Sequence, residues 1–188
     1  MLKFIAIAVS ALVVVGCQST AHVQPAAYSP TTDARIRLYG QNQKPTILEY
    51  VQDGKKVKVN VGGSLGDAFS SFVGAAESEN IGIPATKTSQ NLKDYNGILS
   101  KLFYREFVIP AGTPMKVKSA FVGLTTVSES ATVKTTYYEG SCTSAGIQFT
   151  PKPGIDYEVI PGKPGSVCSA VLAEVAPDGA ITPIMFDR

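Results

Sequence analysis

The chain has 188 residues, of which 44% are apolar and 17% are charged, and its formal net charge is +2 at neutral pH. This composition is typical of a globular chain and excludes a largely disordered one, and the length suits one domain. A charge so close to neutral argues against a nucleic-acid-binding protein, which presents a strongly basic surface.

The first residues have the organisation of a bacterial export signal. Met1 to Lys3 form a short positive region, and residues 4–15 are an apolar run interrupted only by Ser10. This run is shorter than the roughly 20 residues of a membrane-spanning helix, but it suits the core of a signal peptide. Because it ends in Gly16-Cys17, as a lipobox does, we predict a signal peptide over residues 1–16 and acylation of Cys17.

Acylation of Cys17 would hold the chain at a membrane without a transmembrane helix, because more than one acyl chain gives stable anchoring. Gln18 stands where an Asp usually signals inner-membrane retention in lipoproteins of this type, which favours the outer membrane. Residues 17–32 lack apolar periodicity and predict a flexible tether for a domain that faces the periplasm. The alternatives are an ordinary secretory signal with an incidental cysteine, or an uncleaved anchor.

Three strands are predicted at the start of the domain, which we place at residues 33–188. Residues 34–39 alternate polar and apolar side chains, as a half-buried strand requires, and residues 46–52 indicate a second strand. The turn at Asp53-Gly54 favours a type I′ hairpin, in which both central residues have positive φ. Residues 56–61 alternate again and complete the hairpin.

A helical pattern follows, and we predict a two-helix insertion over about residues 65–104 that covers one edge or end of the sheets. Ser89 can cap the second helix. The apolar positions of the first predicted helix are Leu65, Phe69, Phe72, Val73 and Ala76, and those of the second are Leu92, Tyr95, Leu99, Leu102 and Phe103.

Strand patterns return after Arg105, punctuated by Pro-Gly turns. Several short strands at this spacing indicate a sandwich or barrel, and the predicted fold class is mainly β, an antiparallel β-sandwich with the helical insertion. The predicted strands cover residues 106–109, 115–121, 133–138, 142–150, 156–160, 167–175 and 181–186.

Cys142 and Cys168 are the cysteines that remain after Cys17. An even pair in an exported protein predicts a disulfide, which would contribute roughly 3–4 kcal/mol on chain-entropy arguments. Free buried thiols and a metal pair are the alternatives, although two cysteines without a nearby histidine make a poor zinc site.

Parts of the mature chain resemble small envelope lipoproteins of uncharacterised function that carry PEGA-like, transthyretin-like β-sandwich domains. The resemblance lies in residues 34–61, in FVIPAGTPMKVKSAF at 107–121 and in QFTPKPGIDYEV at 148–159. Residues 64–104 depart from that pattern. The resemblance implies a β-sandwich at the envelope and implies no catalytic residue.

Two groups of residues are candidates for binding an anion. The glycine-rich stretch 62–66, with Gly63 and Ser64, precedes the first predicted helix, where backbone amides can hold an anion; a plain strand-to-helix connection explains it as well. Lysines at 55, 56, 58, 116 and 118 could form a basic strip facing anionic lipid or glycan. Alternatively, strand lysines such as Lys56 and Lys58 protect sheet edges against aggregation.

No catalytic, cofactor-binding or metal-ligating residues are predicted. The single histidine, His22, lies in the predicted tether, whereas a serine triad needs a histidine as its base. Glu77 and Glu79 fall in a polar loop, and Asp156 and Glu158 are expected on the solvent face of a strand.

The predicted function is therefore that of a non-enzymatic, membrane-anchored lipoprotein that binds an envelope protein or organises the envelope, without a nucleic-acid partner. Aromatic residues at 103, 104, 137 and 138 are candidates for a partner-binding patch. The alternative is a periplasmic binding module for a glycan or a small anion, using Lys56, Lys58, Gly63 and Ser64.

Overall fold

The computed structural model describes residues 27–63, 77–96, 100–121, 123–162 and 168–185, with the backbone alone for residues 124–126 and 138–139. The described elements are β1 (Asp33–Gly40), β2 (Thr46–Gln52), β3 (Lys55–Val61), α1 (Lys87–Gln90), a 3-10 helix η1 (Leu92–Tyr95), β4 (Phe103–Pro110), β5 (Met115–Phe121), β6 (Leu124–Glu129), β7 (Lys134–Glu139), β8 (Cys142–Thr143), β9 (Ile147–Phe149), β10 (Asp156–Pro161), β11 (Ala170–Val175) and β12 (Ile181–Pro183).

The described strands form two main sheets that face each other, so the mainly β prediction is confirmed. The first sheet has the order β12-β11-β10-β1-β4, and the second has the order β3-β2-β5-β8, with β9 also paired to β5. Strands β6 and β7 form a separate two-stranded ribbon.

Alternating side chains fill the space between the two sheets. In β1, Ala34, Ile36 and Leu38 are fully buried and pack in one cluster with residues of both sheets. Leu48 of β2 and Val117 of β5 face them from the second sheet. Because side chains alternate along a strand, the residues between these positions must point away from the shared core.

The predicted hairpin turn between β2 and β3 is confirmed. Asp53 and Gly54 both have positive φ, at 50° and 73°, as a type I′ turn requires. The close approach of β1 to β3 at the opposite end of the sandwich depends on Gly40, because a Cβ there would overlap the Val61 carbonyl.

The prediction of a second helix, capped by Ser89 and with an apolar face from Leu92 to Phe103, is wrong. Thr86, and not Ser89, caps the single turn α1, whose C-cap is Asn91. Phe103 and the residues after it pair with β1, Phe103 opposite Gly40, so strand pairing takes residues that the helical pattern had assigned to an apolar face. The first predicted helix, from Leu65 to Ala76, lies outside the described residues.

The described strand pairs are antiparallel as predicted, with one exception: β1 and β10 pair in parallel, with Arg37 opposite Glu158. Parallel neighbours need a crossover connection. Here the chain crosses from β9 in the second sheet to β10 in the first sheet, and it therefore enters the first sheet running in the direction of β1.

Candidate functional site

A buried row of charges lies on the outer face of the first sheet. Arg37 of β1 is the register partner of Glu106 in β4 and of Glu158 in β10. Its Nε and Nη2 donate to Glu106 Oε1 at 2.9 and 2.6 Å, and its Nη1 donates to Glu158 Oε2 at 2.9 Å. All three side chains are completely buried.

Residues 79–91 cross this face and bury the row. Arg37 Nη2 also donates to the carbonyl oxygens of Ile83 and Pro84 at 2.9 and 3.0 Å. Glu106 Oε2 accepts from the backbone amides of Ile81 and Ile83 at 2.7 and 3.2 Å. The charges thus satisfy backbone groups that the covering segment would otherwise bury without partners.

The covering segment also reaches the second carboxylate of the row. Thr86 Oγ1 donates to Glu158 Oε2 at 2.7 Å, while Glu158 Oε1 and the nearby Tyr39 hydroxyl have no well-formed hydrogen bond. Burial, reinforced by the negative charge of Glu158, raises the pKa of Tyr39. Tyr39 therefore stays protonated at this site.

A second ion pair lies two residues away from the first along β1 and β10. Arg35 donates through Nε and Nη2 to both oxygens of Asp156, each at 2.7 Å, and the Tyr28 ring covers its guanidinium at 4.6 Å. These hydrogen bonds raise the pKa of Arg35. For Arg37, burial alone would lower the pKa, but the hydrogen bond and the charge of Glu106 outweigh it and the pKa is raised.

The expectation of a solvent-facing Asp156 and Glu158 is wrong, because the covering segment and the two arginines enclose them. The sequence did carry a signal. Arg35 and Arg37 are spaced i, i+2, as are Asp156 and Glu158, so that matched pairs can meet across two neighbouring strands. We call these four residues and Glu106 the buried charge network.

The outer face of the second sheet is charged but open. Lys58 and Lys116 are the register partners of Glu49 on its two sides. Lys56 lies two residues before Lys58, and Lys118 two residues after Lys116, on the same face. We call Lys56, Lys58, Lys116 and Lys118, with Glu49 among them, the lysine face.

One ion pair neutralises part of the lysine face. Lys118 Nζ lies 2.7 Å from Glu49 Oε2, and this hydrogen bond lowers the pKa of Glu49. Among the described residues, Lys56, Lys58 and Lys116 have no carboxylate within ion-pair distance. Of these three cations, Lys56 and Lys58 are exposed, and Lys116 is half-buried.

An open groove of about 550 Å³ adjoins the lysine face. Tyr50, Met115 and Phe149 supply its apolar wall, and they are register partners across β2, β5 and β9. Lys116 and the half-exposed Val51 stand on its rim.

The residues predicted to bind a small anion are not brought together. The Gly63 amide donates to the Gln41 carbonyl at 3.1 Å, so it is not directed at a ligand. Gly63 lies five residues beyond Lys58, roughly 16 Å at the rise of a strand. Ser64 lies outside the described residues.

The predicted disulfide is confirmed. Cys142 and Cys168 are bonded, with Cα atoms 6.1 Å apart and a sequence separation of 26. Cys142 pairs with Phe121 of β5, and Cys168 stands two residues before β11. The bond therefore connects the second sheet to the approach to the first.

The β6–β7 ribbon leaves the domain beside this disulfide. Its strands pair only with each other among the described residues. Val127, Val133 and Tyr137 are 51%, 59% and 66% exposed. Of the aromatic residues predicted to form a partner-binding patch, Tyr137 is on this ribbon, whereas Phe103 is buried in the shared core.

Within residues 27–63, 77–96, 100–121, 123–162 and 168–185, no three His, Cys, Asp or Glu side chains are placed to hold a metal ion. No helix in those ranges is long and apolar enough to cross a bilayer. Cys17 lies outside them.

Comparison with known proteins finds no family model, no curated protein and no solved structure that matches the chain.

Proposed function

We propose that this chain is a non-enzymatic bacterial lipoprotein, anchored through Cys17 at the outer membrane, whose β domain binds another envelope protein through the β6–β7 ribbon. The observation that carries the proposal is the ribbon itself. An isolated two-stranded ribbon is marginally stable in water, and its unpaired strand edges are ready to accept a further strand.

The point at which the ribbon joins the domain supports this role. Phe121, the last residue of β5, is the register partner of Cys142, so the ribbon leaves and re-enters the domain at one point. The disulfide fixes that point to the approach to β11. A fixed attachment point presents the exposed apolar side chains of the ribbon at a defined position, which lowers the entropic cost of ordering them on binding.

A photo-crosslinking amino acid tests the ribbon. Placed at Val127 or at Tyr137 in the living cell, it should give the same cross-linked envelope protein from both positions. The matched control is Lys152, whose side chain is 73% exposed on the domain surface and which should give no such product. Tyr137→Lys should abolish the product formed from position 127; persistence of the product in that variant, or an equal yield from Lys152, contradicts the proposal.

The anchor has its own test. Cys17→Ser should move the protein from the membrane fraction to the soluble periplasmic fraction, because no acyl chain can then be attached. Intact-mass analysis of the native protein should show the loss of residues 1–16 and a gain of acyl mass. An uncleaved, unacylated chain would refute the anchor. The cross-linking test of the ribbon does not depend on that outcome.

The alternative of a small-anion or glycan module at Lys56, Lys58, Gly63 and Ser64 has less support. Its lysines do share a face, but the Gly63 amide is already hydrogen-bonded to the Gln41 carbonyl. Gly63 also lies about the length of a strand away from Lys56.

A further inference from the structure

We infer that the lysine face docks on an anionic lipid surface and so sets the orientation of the domain at the membrane; this inference rests on the proposed acylation of Cys17. It begins from an imbalance of charge. Four lysines surround one carboxylate on this face, and among the described residues Lys118 alone of the four pairs with an acid.

The spacing of the lysines suits an extended anionic surface. Lys58 and Lys116 flank Glu49 in one row, which places their Cα atoms about 10 Å apart across three strands. Lys56 and Lys118 are displaced in opposite directions along the strands, at opposite corners, roughly 13 Å apart in the strand direction. The result is an extended array of cations on the scale of several lipid headgroups.

The position of Glu49 disfavours a compact anion. Its carboxylate stands in the middle of the lysine face, held at 2.7 Å from Lys118 Nζ, so a single phosphate or carboxylate centred among the lysines would meet a like charge. A layer of headgroups avoids this repulsion, because separate phosphates can approach Lys56, Lys58 and Lys116 from outside.

An apolar side chain lies within the same face. Val51 is the register partner of Lys56 and is 53% exposed. Beside it, the groove presents Tyr50 and Pro114. Apolar side chains next to lysines suit the boundary between headgroups and acyl chains, where both kinds of contact are available.

The chain enters the domain at the end of the sandwich where Val51 lies. The Thr32 carbonyl accepts from the Ala111 amide at 3.1 Å, in the turn that leads to Thr113 and Pro114 on the groove. Residues 18–27 can span at most about 35 Å when fully extended. Tyr28 lies over Arg35, on the outer face of the first sheet, but this reach exceeds the roughly 10 Å between packed sheets. An acylated Cys17 would therefore allow this end of the lysine face to reach the bilayer surface.

Amine acetylation read out by mass spectrometry tests the inference on the full chain. The protein is added to vesicles of phosphatidylcholine alone or with about one third phosphatidylglycerol, and the acetylation rate of each lysine is measured. Lys56, Lys58 and Lys116 should react on the order of fivefold more slowly on the anionic vesicles, since each lysine near such a surface contributes roughly 1 kcal/mol. High salt should remove the difference.

A matched pair of charge reversals identifies the face. Lys56→Glu with Lys58→Glu should abolish the anionic protection of Lys116, whereas Lys87→Glu with Lys93→Glu, at exposed positions of α1 and η1, should preserve it. Both double variants change the net charge equally.

Each remaining outcome decides the inference. Equal acetylation rates on the two kinds of vesicle would overturn it, whether or not the protein sediments with them. Protection by soluble polyphosphate but not by vesicles would overturn it in favour of a soluble polyanion. Sedimentation with neutral vesicles reports on the acyl anchor separately, so a failure of the anchor and a failure of the lysine face are distinguishable.

Discussion

The two outer faces of the sandwich carry similar numbers of charges but treat them in opposite ways. On the first sheet, Arg37, Glu106 and Glu158 are completely buried and hydrogen-bonded to each other and to the covering segment. On the second sheet, Lys56 and Lys58 are exposed and have no ion-pair partner among the described residues.

The difference shows that strand alternation determines which face a side chain occupies but does not determine whether that face is exposed to solvent. Arg37 and Lys58 both point away from the shared core of the two sheets. Residues 79–91 cover Arg37, and the burial of its charge is tolerated because carboxylates and carbonyl oxygens accept its donors. The same alternating pattern therefore gives a structural network on one face and a candidate binding surface on the other.

The largest expected effect is the loss of the buried cation. Arg37→Met leaves two fully buried carboxylates without their partner, and we expect the free energy of unfolding to fall by about 3–5 kcal/mol. Urea denaturation followed by circular dichroism measures it. The control is Arg35→Met, whose ion pair with Asp156 is partly exposed at 16% and 10%; an equal loss in the two variants would show that burial does not distinguish them.

The second-largest effect is expected from the disulfide, which connects the second sheet to the approach to the first. Cys142→Ala should lower the free energy of unfolding by roughly 3–4 kcal/mol in oxidising buffer, as loop-closure entropy gives for a loop of this size. In reducing buffer the wild type and the variant should unfold at the same urea concentration. A difference that persists with reductant would deny that the bond is the cause.

The pH dependence of the free energy of unfolding tests the burial of Tyr39. Its pKa is raised in the folded chain, so above an unfolded pKa of about 10 the unfolded state releases a proton that the folded state keeps, and stability falls by up to ~1.4 kcal/mol per pH unit. Tyr39→Phe should be within about 1 kcal/mol of wild type at pH 7 and should lose less stability between pH 10 and 11.5. Parallel pH curves for the two proteins would contradict this.

The smallest effect is expected on the lysine face. Glu49 and Lys118 side chains are 38% and 25% exposed, so Glu49→Gln should cost less than about 1 kcal/mol. Because the pKa of Glu49 is lowered from its ordinary value of 4.5, its contribution is present above that pH and is lost as pH falls through the folded pKa. Wild type and variant should therefore converge in acid; a constant difference down to pH 2 would rule out the ion pair as its source.

Local patterns predicted the first three strands closely. The expected strands at residues 34–39, 46–52 and 56–61 correspond to β1, β2 and β3 with end shifts of one residue at most. Alternation and turn chemistry are properties of neighbouring residues, so one sequence contains them. The turn at Asp53-Gly54 is the clearest case.

The arrangements that depend on distant residues were not predicted. The helical spacing of Leu92, Tyr95 and Phe103 is real, but Phe103 forms a strand because β1 offers it a partner. The buried charge network depends on the parallel register of β1 with β10, 121 residues apart for Arg37 and Glu158. The lysine positions were predictable from alternation, whereas their meeting across β3, β2 and β5 required the strand order.

The parallel pairing of β1 with β10 has a consequence for the order in which this chain can fold. Strand β1 lies between β4 and β10 in the first sheet, so it stays an edge strand until residues 156–161 of β10 have been synthesised and can pair with it. Until then Arg37 has only one of its two carboxylates. Folding of this sheet must therefore await most of the polypeptide, and an N-terminal fragment that stops at residue 155 would present an open edge to its neighbours.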